Sequence, residues 1–140
     1  MIVLDTDTLS IVQRATGPAY GRLVSRLDAA DDEVAVSIVS FEEQMRGWLA
    51  YIARAASSNQ QIDGYAKLHA LLDDFATRPV LDFDPHAAAE FERLIRLRLR
   101  IGTMDLKIAA ITLALDALLL SKNLNDFRKV PGLRVEDWTI

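Results

Sequence analysis

Four acidic residues that are distant along the chain share one kind of position: each follows a short apolar run or opens a helical pattern. They are Asp5, Glu43, Asp105 and Asp126. Carboxylates brought within a few ångströms of one another stay ionised only if a cation offsets their repulsion. Oxygen donors with no thiolate and no histidine cluster select Mg²⁺, with Mn²⁺ as the alternative, over zinc or copper. Such an ion lowers the pKa of a water, orients it for in-line attack on phosphorus and stabilises the leaving oxygen. The chemistry to which this set points is metal-assisted hydrolysis of a phosphodiester.

Each acid also has a plain structural role. Asp5 or Asp7 can form an Asx turn or cap the next helix. Ser40-x-x-Glu43 has the spacing of a capping box, in which Glu43 reaches back to the Ser40 amide. Asp105 falls in a first helical turn, where the macrodipole stabilises a carboxylate, and Asp126 can do the same for a short turn. The coincidence of the four at one edge, and no single residue, favours a site. Other chemistry is thinly represented. His69 and His86 lie in no metal-ligand spacing and read as ordinary histidines, Gly102 reads as a helix stop, and no phosphate-cradling glycine loop or nucleophile elbow is present. Arg93, Arg96, Arg98 and Arg100 cluster within eight residues on one expected helix. They suit a solvated face, an RNA backbone or an acidic partner segment equally well.

The elements that must position these acids follow from hydrophobic pattern and punctuation. Ile2-Val3-Leu4 reads as a strand buried on both faces, and Asp5 to Thr8 as the cap of a short helix. A helix is expected over Tyr20–Ala30, a β-branched strand over Glu33–Ser37, and a helix from Ser40 to Ala53. Ser57-Ser58-Asn59 is a polar break before a helix over Gln61–Ala76, which forms an antiparallel hairpin with the helix before it. Val80–Phe83 is a short strand. Asp84 caps and Pro85 opens a helix that runs to about Arg100. Thr103 caps the next, Met104 to Leu115, and strands over Ala117–Ser121 and Leu133–Val135 complete the pattern. Strands alternating with helices imply an α/β fold: a three-layer α/β/α sandwich with a mostly parallel central sheet, built as one domain over residues 1–140. In such sheets ligands gather beyond the C-terminal strand ends.

Bulk properties constrain the function classes. With 140 residues, 51% of them hydrophobic and 26% charged, the chain can bury a core unaided. It has no cysteine, which rules out disulfides and thiolate zinc and fits a cytoplasmic location. The N-terminus lacks the pattern of a signal peptide, and Ile108–Leu120, interrupted by Thr112 and Asp116, is too short to cross a membrane. The net charge of −4 neither demands nor forbids nucleic acid, because cations in a carboxylate site reduce its negative field.

Five stretches, in order and spanning nearly the whole chain, resemble the PIN-domain family and in particular its VapC-type toxins: Ile2–Asp7, Ser37–Gly47, Ile101–Ala110, Ser121–Phe127 and Val130–Trp138. The resemblance implies an acidic triad of Asp5, Glu43 and Asp105, with Asp5 and Asp105 as the principal Mg²⁺ ligands. Glu43, and not Glu42, falls at the family's distance from Gly47. Asn123 stands where many members carry a fourth acid, with Asp126 close behind as a substitute, so a second cation would bind weakly. Asp7 and Ser121 replace the Asn and Thr common in the family, and Thr6, Ser121 and Asn123 are further candidates for the site. The implied protein is an endoribonuclease that cuts a structured RNA such as tRNA or rRNA, dimerises, and is silenced by an antitoxin protein. A nearby arginine would bind the scissile strand, with Arg93, Arg96 and Arg100 as candidates. Two rivals remain: a PIN-like binding module with a decayed site, favoured only by Asn123, and a receiver-type phosphoacceptor domain. The second is disfavoured because Ser37-Ile38-Val39-Ser40 provides no Asp after the second strand.

Overall fold

The computed structural model describes all residues from Met1 to Ile140. Five strands form one sheet in the order β3-β2-β1-β4-β5, with every pairing parallel: β1 Ile2–Leu4, β2 Val34–Ser37, β3 Val80–Leu81, β4 Leu118–Leu120 and β5 Arg134–Glu136. The register aligns Leu4 with Val36 on one side and with Leu120 on the other. The three central strands therefore end nearly level.

Side chains alternate across a strand, and β1 shows the consequence. Ile2 and Leu4 pack with Leu9, Leu23, Val36, Leu71, Phe75 and Leu120 on one face. Val3 packs with Leu94, Ile108, Ile111, Leu119 and Phe127 on the other. All three residues of β1 are buried, as a central parallel strand between helical layers requires. Helices α1 (Thr6–Arg14), α2 (Pro18–Ala30) and α4 (Ser58–Ala76) supply the first layer. Helices α5 (Pro85–Arg96), α6 (Thr103–Ala114) and α7 (Leu124–Phe127) supply the second. Helix α3 (Ile38–Ala53) straddles the two, with Val39 in the second core and Phe41, Met45 and Trp48 against the first. The expected three-layer α/β/α architecture is the one observed.

Helix α3 returns against α4 as the expected hairpin, and Gly64 allows their close approach. A Cβ built there would lie 2.5 Å from Ile52 Cγ1.

Several boundaries differ from the sequence reading for local reasons. Helix α3 starts at Ile38, directly from β2, because the Ser37 hydroxyl accepts from the Ser40 amide and is the true cap. The capping box expected from Ser40 and Glu43 is therefore absent. Helix α4 begins at Ser58 because the polar break is itself a cap, with Ser57 Oγ accepting from the Gln60 amide. Gly102, not Thr103, takes the cap position of α6 and makes no side-chain bond there. Asp84 caps α5 as expected, but that helix stops at Arg96. Beyond it, Leu99 and Ile101 turn inward against the core while Arg98 and Arg100 adopt left-handed backbone, with φ of 52° and 57°. The alternation Arg96-Leu97-Arg98-Leu99-Arg100 has a period near two, which cannot keep one apolar face on a helix of 3.6 residues per turn. The four arginines consequently do not share a helix.

Candidate active site

In the strand order 3-2-1-4-5 the direction of chain progression reverses at β1 and β4, and the crevice beyond their C-terminal ends is the usual ligand position in an open parallel sheet. A cavity of about 200 Å³ lies there, lined by Asp5, Thr6, Asp7, Glu43, Asp105 and Asn123, with no hydrophobic residue in its wall. The structure thus brings together the three acids of the expected triad, from the end of β1, the second turn of α3 and the first turn of α6.

The local fold explains each placement. Asp5 follows β1 immediately and caps α1, its Oδ1 accepting from the Thr8 amide at 2.9 Å. The capping role and a site role are compatible, because a carboxylate has a second oxygen. Asp5 is only 5% exposed. Burial pushes its carboxyl above the usual range, outweighing the opposing effect of the Ser121 hydroxyl and the Thr8 amide. Thr8 Oγ1 is buried beside this carboxylate and makes no hydrogen bond of ordinary length.

Glu43 is held from the opposite side. Thr6 Oγ1 donates to Glu43 Oε1 at 2.6 Å and lies 2.9 Å from Ser40 Oγ. Thr6 has one hydroxyl proton and gives it to Glu43, so Ser40 must donate to Thr6. The neighbouring Glu42 instead pairs with Arg46 at 2.6 Å. Of the two glutamates it is Glu43, the one at the family's distance from Gly47, that lines the cavity, although the capping box that also favoured it does not form.

Asp105 has the most perturbed carboxyl of the set, pushed up to about 6. Desolvation is the largest cause, followed by the negative charges of Glu43, Asp5, Asp126 and Asp7. No hydrogen bond offsets them.

The remaining candidates divide. Asn123 lines the cavity, and its amide also binds Asp126: Nδ2 donates to Asp126 Oδ2 at 3.0 Å. Lys129 Nζ donates to Asp126 Oδ1 at 3.1 Å. These bonds hold the Asp126 carboxyl below its usual range, and the residue stands at the rim, outside the lining. Ser121 is buried and accepts from the Asn123 amide at 2.9 Å, which fixes the turn after β4. None of the arginines lines the cavity. Arg93 is paired with Glu90 at 2.8 Å, and Arg96, Arg98 and Arg100 are exposed. His69 and His86 lie elsewhere, and His86 lines a different, mostly apolar cavity beside β3. Two participants were missed. Asp7 was read as a turn residue, although a position two after Asp5 in the first turn of α1 was a usable signal. Ser40 was read as a cap, and nothing in the sequence signalled its bond to Thr6.

The donor chemistry fits a hard divalent cation: four carboxylates, a hydroxyl and an amide in a wholly polar cavity. No three His, Asp or Glu side chains are grouped closely enough to enclose a metal ion as they stand.

Residues 2–133 match the PIN domain, and the chain belongs to that family. Among curated relatives it is similar to Ribonuclease VapC2 of Haemophilus influenzae, with 36% identity over 74 residues that make up 49% of this chain and 56% of the relative. It is also similar to the tRNA(fMet)-specific endonuclease VapC of Salmonella typhimurium, at 32% identity over 74 residues and the same shares. The matched stretch thus spans little more than half the length of these relatives. The fold is similar to that of VapBC-1 from nontypeable Haemophilus influenzae, with a TM-score of 0.73 at 22% identity over 100% of both chains. No helix of the chain is long and apolar enough to cross a membrane.

Proposed function

We propose that the protein is a divalent-metal-dependent endoribonuclease, the toxin of a VapBC-type toxin–antitoxin pair. The observation that carries this reading is the convergence of Asp5, Glu43 and Asp105 on one polar cavity beyond the strand ends. The names of the VapC relatives support the ribonuclease activity, and the tRNA specificity of one of them makes tRNA the first substrate to test. The VapBC and toxin–antitoxin neighbours support an antitoxin protein as partner, and a homodimer is the assembly that the family resemblance implies.

Asp5 and Asp105 would hold Mg²⁺, or Mn²⁺, with Asn123 offering a neutral oxygen. When bound, the ion supplies charge stabilisation to a scissile phosphate and acidifies water. Glu43, its Oε1 fixed by Thr6, keeps Oε2 to accept the proton of the attacking water. Ser121 and Thr8 hold Asp5 in place. Asp126 acts from the rim by adding negative field at Asp105. Among the arginines, Arg96 and Arg100 are the freest to bind the RNA backbone, and Arg93 would first have to leave Glu90.

The test is cleavage of tRNA and of rRNA by the purified chain with Mg²⁺ and with chelator. Asp5→Asn removes charge with almost no change in volume, so cleavage should disappear while circular dichroism stays that of the parent. Parent-like cleavage by this variant would refute the assignment. A second reading, a PIN-like binding module with a decayed site, is favoured by Asn123. It predicts that Mg²⁺ produces no rise in melting temperature.

A further inference from the structure

Behind the Thr6–Glu43 contact lies a second polar assembly that joins three helices. Gln13 Nε2 on α1 donates to Gln44 Oε1 on α3 at 3.0 Å, and Gln44 Nε2 donates back to Gln13 Oε1 at 2.7 Å. Each amide nitrogen also spends its second proton: Gln13 on Asp74 Oδ2 at 2.9 Å, and Gln44 on Ser10 Oγ at 3.1 Å. Asp74, on α4, is clamped by Arg78 through Nε at 2.8 Å and Nη2 at 2.9 Å. Ser10 Oγ donates to the Thr6 carbonyl at 3.0 Å.

The assembly returns to the cavity at both ends. Ser10 finishes on the backbone of Thr6, and Gln44 follows Glu43 directly in α3. Thr6 and Glu43 are themselves joined at 2.6 Å. The result is a closed ring through Thr6, Ser10, Gln44 and Glu43, braced from outside by Gln13 and Asp74. Apolar packing resists separation of two helices but tolerates sliding, whereas a fully satisfied hydrogen-bonded network admits one register.

We propose that Gln13 and Gln44 are positioning residues: their reciprocal amide pair, anchored on Asp74, holds α3 against α1 in the register that lets Thr6 bind Glu43, and so sets the Glu43 carboxylate opposite Asp105. The consequence for turnover rests on the nuclease reading above, but the consequence for metal affinity does not require cleavage.

The test compares the purified full chain with the double variant Gln13→Met/Gln44→Met. Methionine keeps the unbranched length without directional bonds, and removing both partners leaves neither amide stranded. The double variant should melt close to the parent. Its kcat for Mg²⁺-dependent RNA cleavage should fall about tenfold or more, with KM within about twofold, the pattern of a misplaced reacting group. Its affinity for Mn²⁺ alone, measured by calorimetry, should also fall, because Glu43 lends its negative charge to the cavity it shares with Asp5 and Asp105. Parent-like kcat together with parent-like Mn²⁺ affinity overturns the proposal. If the double variant does not fold, Gln13→Met alone serves, because it breaks the amide pair and the Asp74 anchor while Gln44 keeps its bond to Ser10: a lowered kcat at unchanged KM supports the proposal and a parent-like kcat overturns it. If the parent binds Mn²⁺ without cleaving RNA, the nuclease reading fails and the affinity comparison decides this one. A parent that does neither overturns both.

Discussion

The two walls of the cavity are built on opposite terms. On the α1–α3 wall, Asp5 accepts from the Thr8 amide and Glu43 accepts from Thr6, which Ser40 backs. On the α6 wall, Asp105 stands in the first turn of a helix whose cap position is a glycine, with no donor to it and with four like charges around it. The first wall is ordered by the protein itself. The second is under an electrostatic load that the fold does not relieve and that a cation would. The contrast is that of a hydrogen-bonded wall facing a carboxylate that no donor offsets.

The largest expected effect comes from removing the loaded wall. Asp105→Asn should lower RNA cleavage by about 10²-fold or more, as loss of a charged group at a reacting centre does, while raising the melting temperature of the metal-free protein. A fall in both would mean that Asp105 is an ordinary structural acid.

Metal should act in the same place. Mg²⁺ at 100 times its Kd should stabilise the parent by about 2.7 kcal/mol through mass action, read as a shift in melting temperature, and Asp105→Asn should erase most of that shift.

The pH response of the metal-free protein tests the load itself. The Asp105 carboxyl lies at about 6 in the fold against 3.8 ordinarily. The folded state therefore binds more protons than the unfolded state between these values, and stability falls as pH rises from about 4 to about 6, then levels. Scanning calorimetry across that window should show this slope in the parent and a flatter one in Asp105→Asn. An unchanged slope in the variant would assign it to other groups.

The smallest effect sharpens the ordered wall. Glu42→Gln should leave cleavage within about twofold of the parent, since its partner Arg46 forms an exposed pair of the kind that contributes little. Glu43→Gln, one residue on, should not. Equal losses from the two would show that general charge, not the Thr6-held carboxylate, matters.

Much of this arrangement was legible in the residues. The period-two and apolar runs located the strands, and the acids at their ends or at the starts of the adjoining helices located Asp5, Glu43 and Asp105, because a parallel sheet delivers both to one edge. The illegible parts depended on side chains meeting across the fold. Ser37 and Ser40 have the same capping chemistry, and only the tertiary pairing of Ser40 with Thr6 decides between them. The end of α5 was obscured because arginine and leucine are both good helix formers, although their alternation already broke the helical period. The Gln13–Gln44 pair joins residues of no special pattern, 31 positions apart. Propensity carries no trace of such a pair.

Calorimetric titration of Mn²⁺ into the metal-free parent, Asp5→Asn and Asp105→Asn reaches the central claim most directly. The account predicts binding in the parent that weakens at least about tenfold in either variant, since each removes one charged ligand of a shared ion. Binding that is absent from the parent, or that survives both substitutions unchanged, would contradict it.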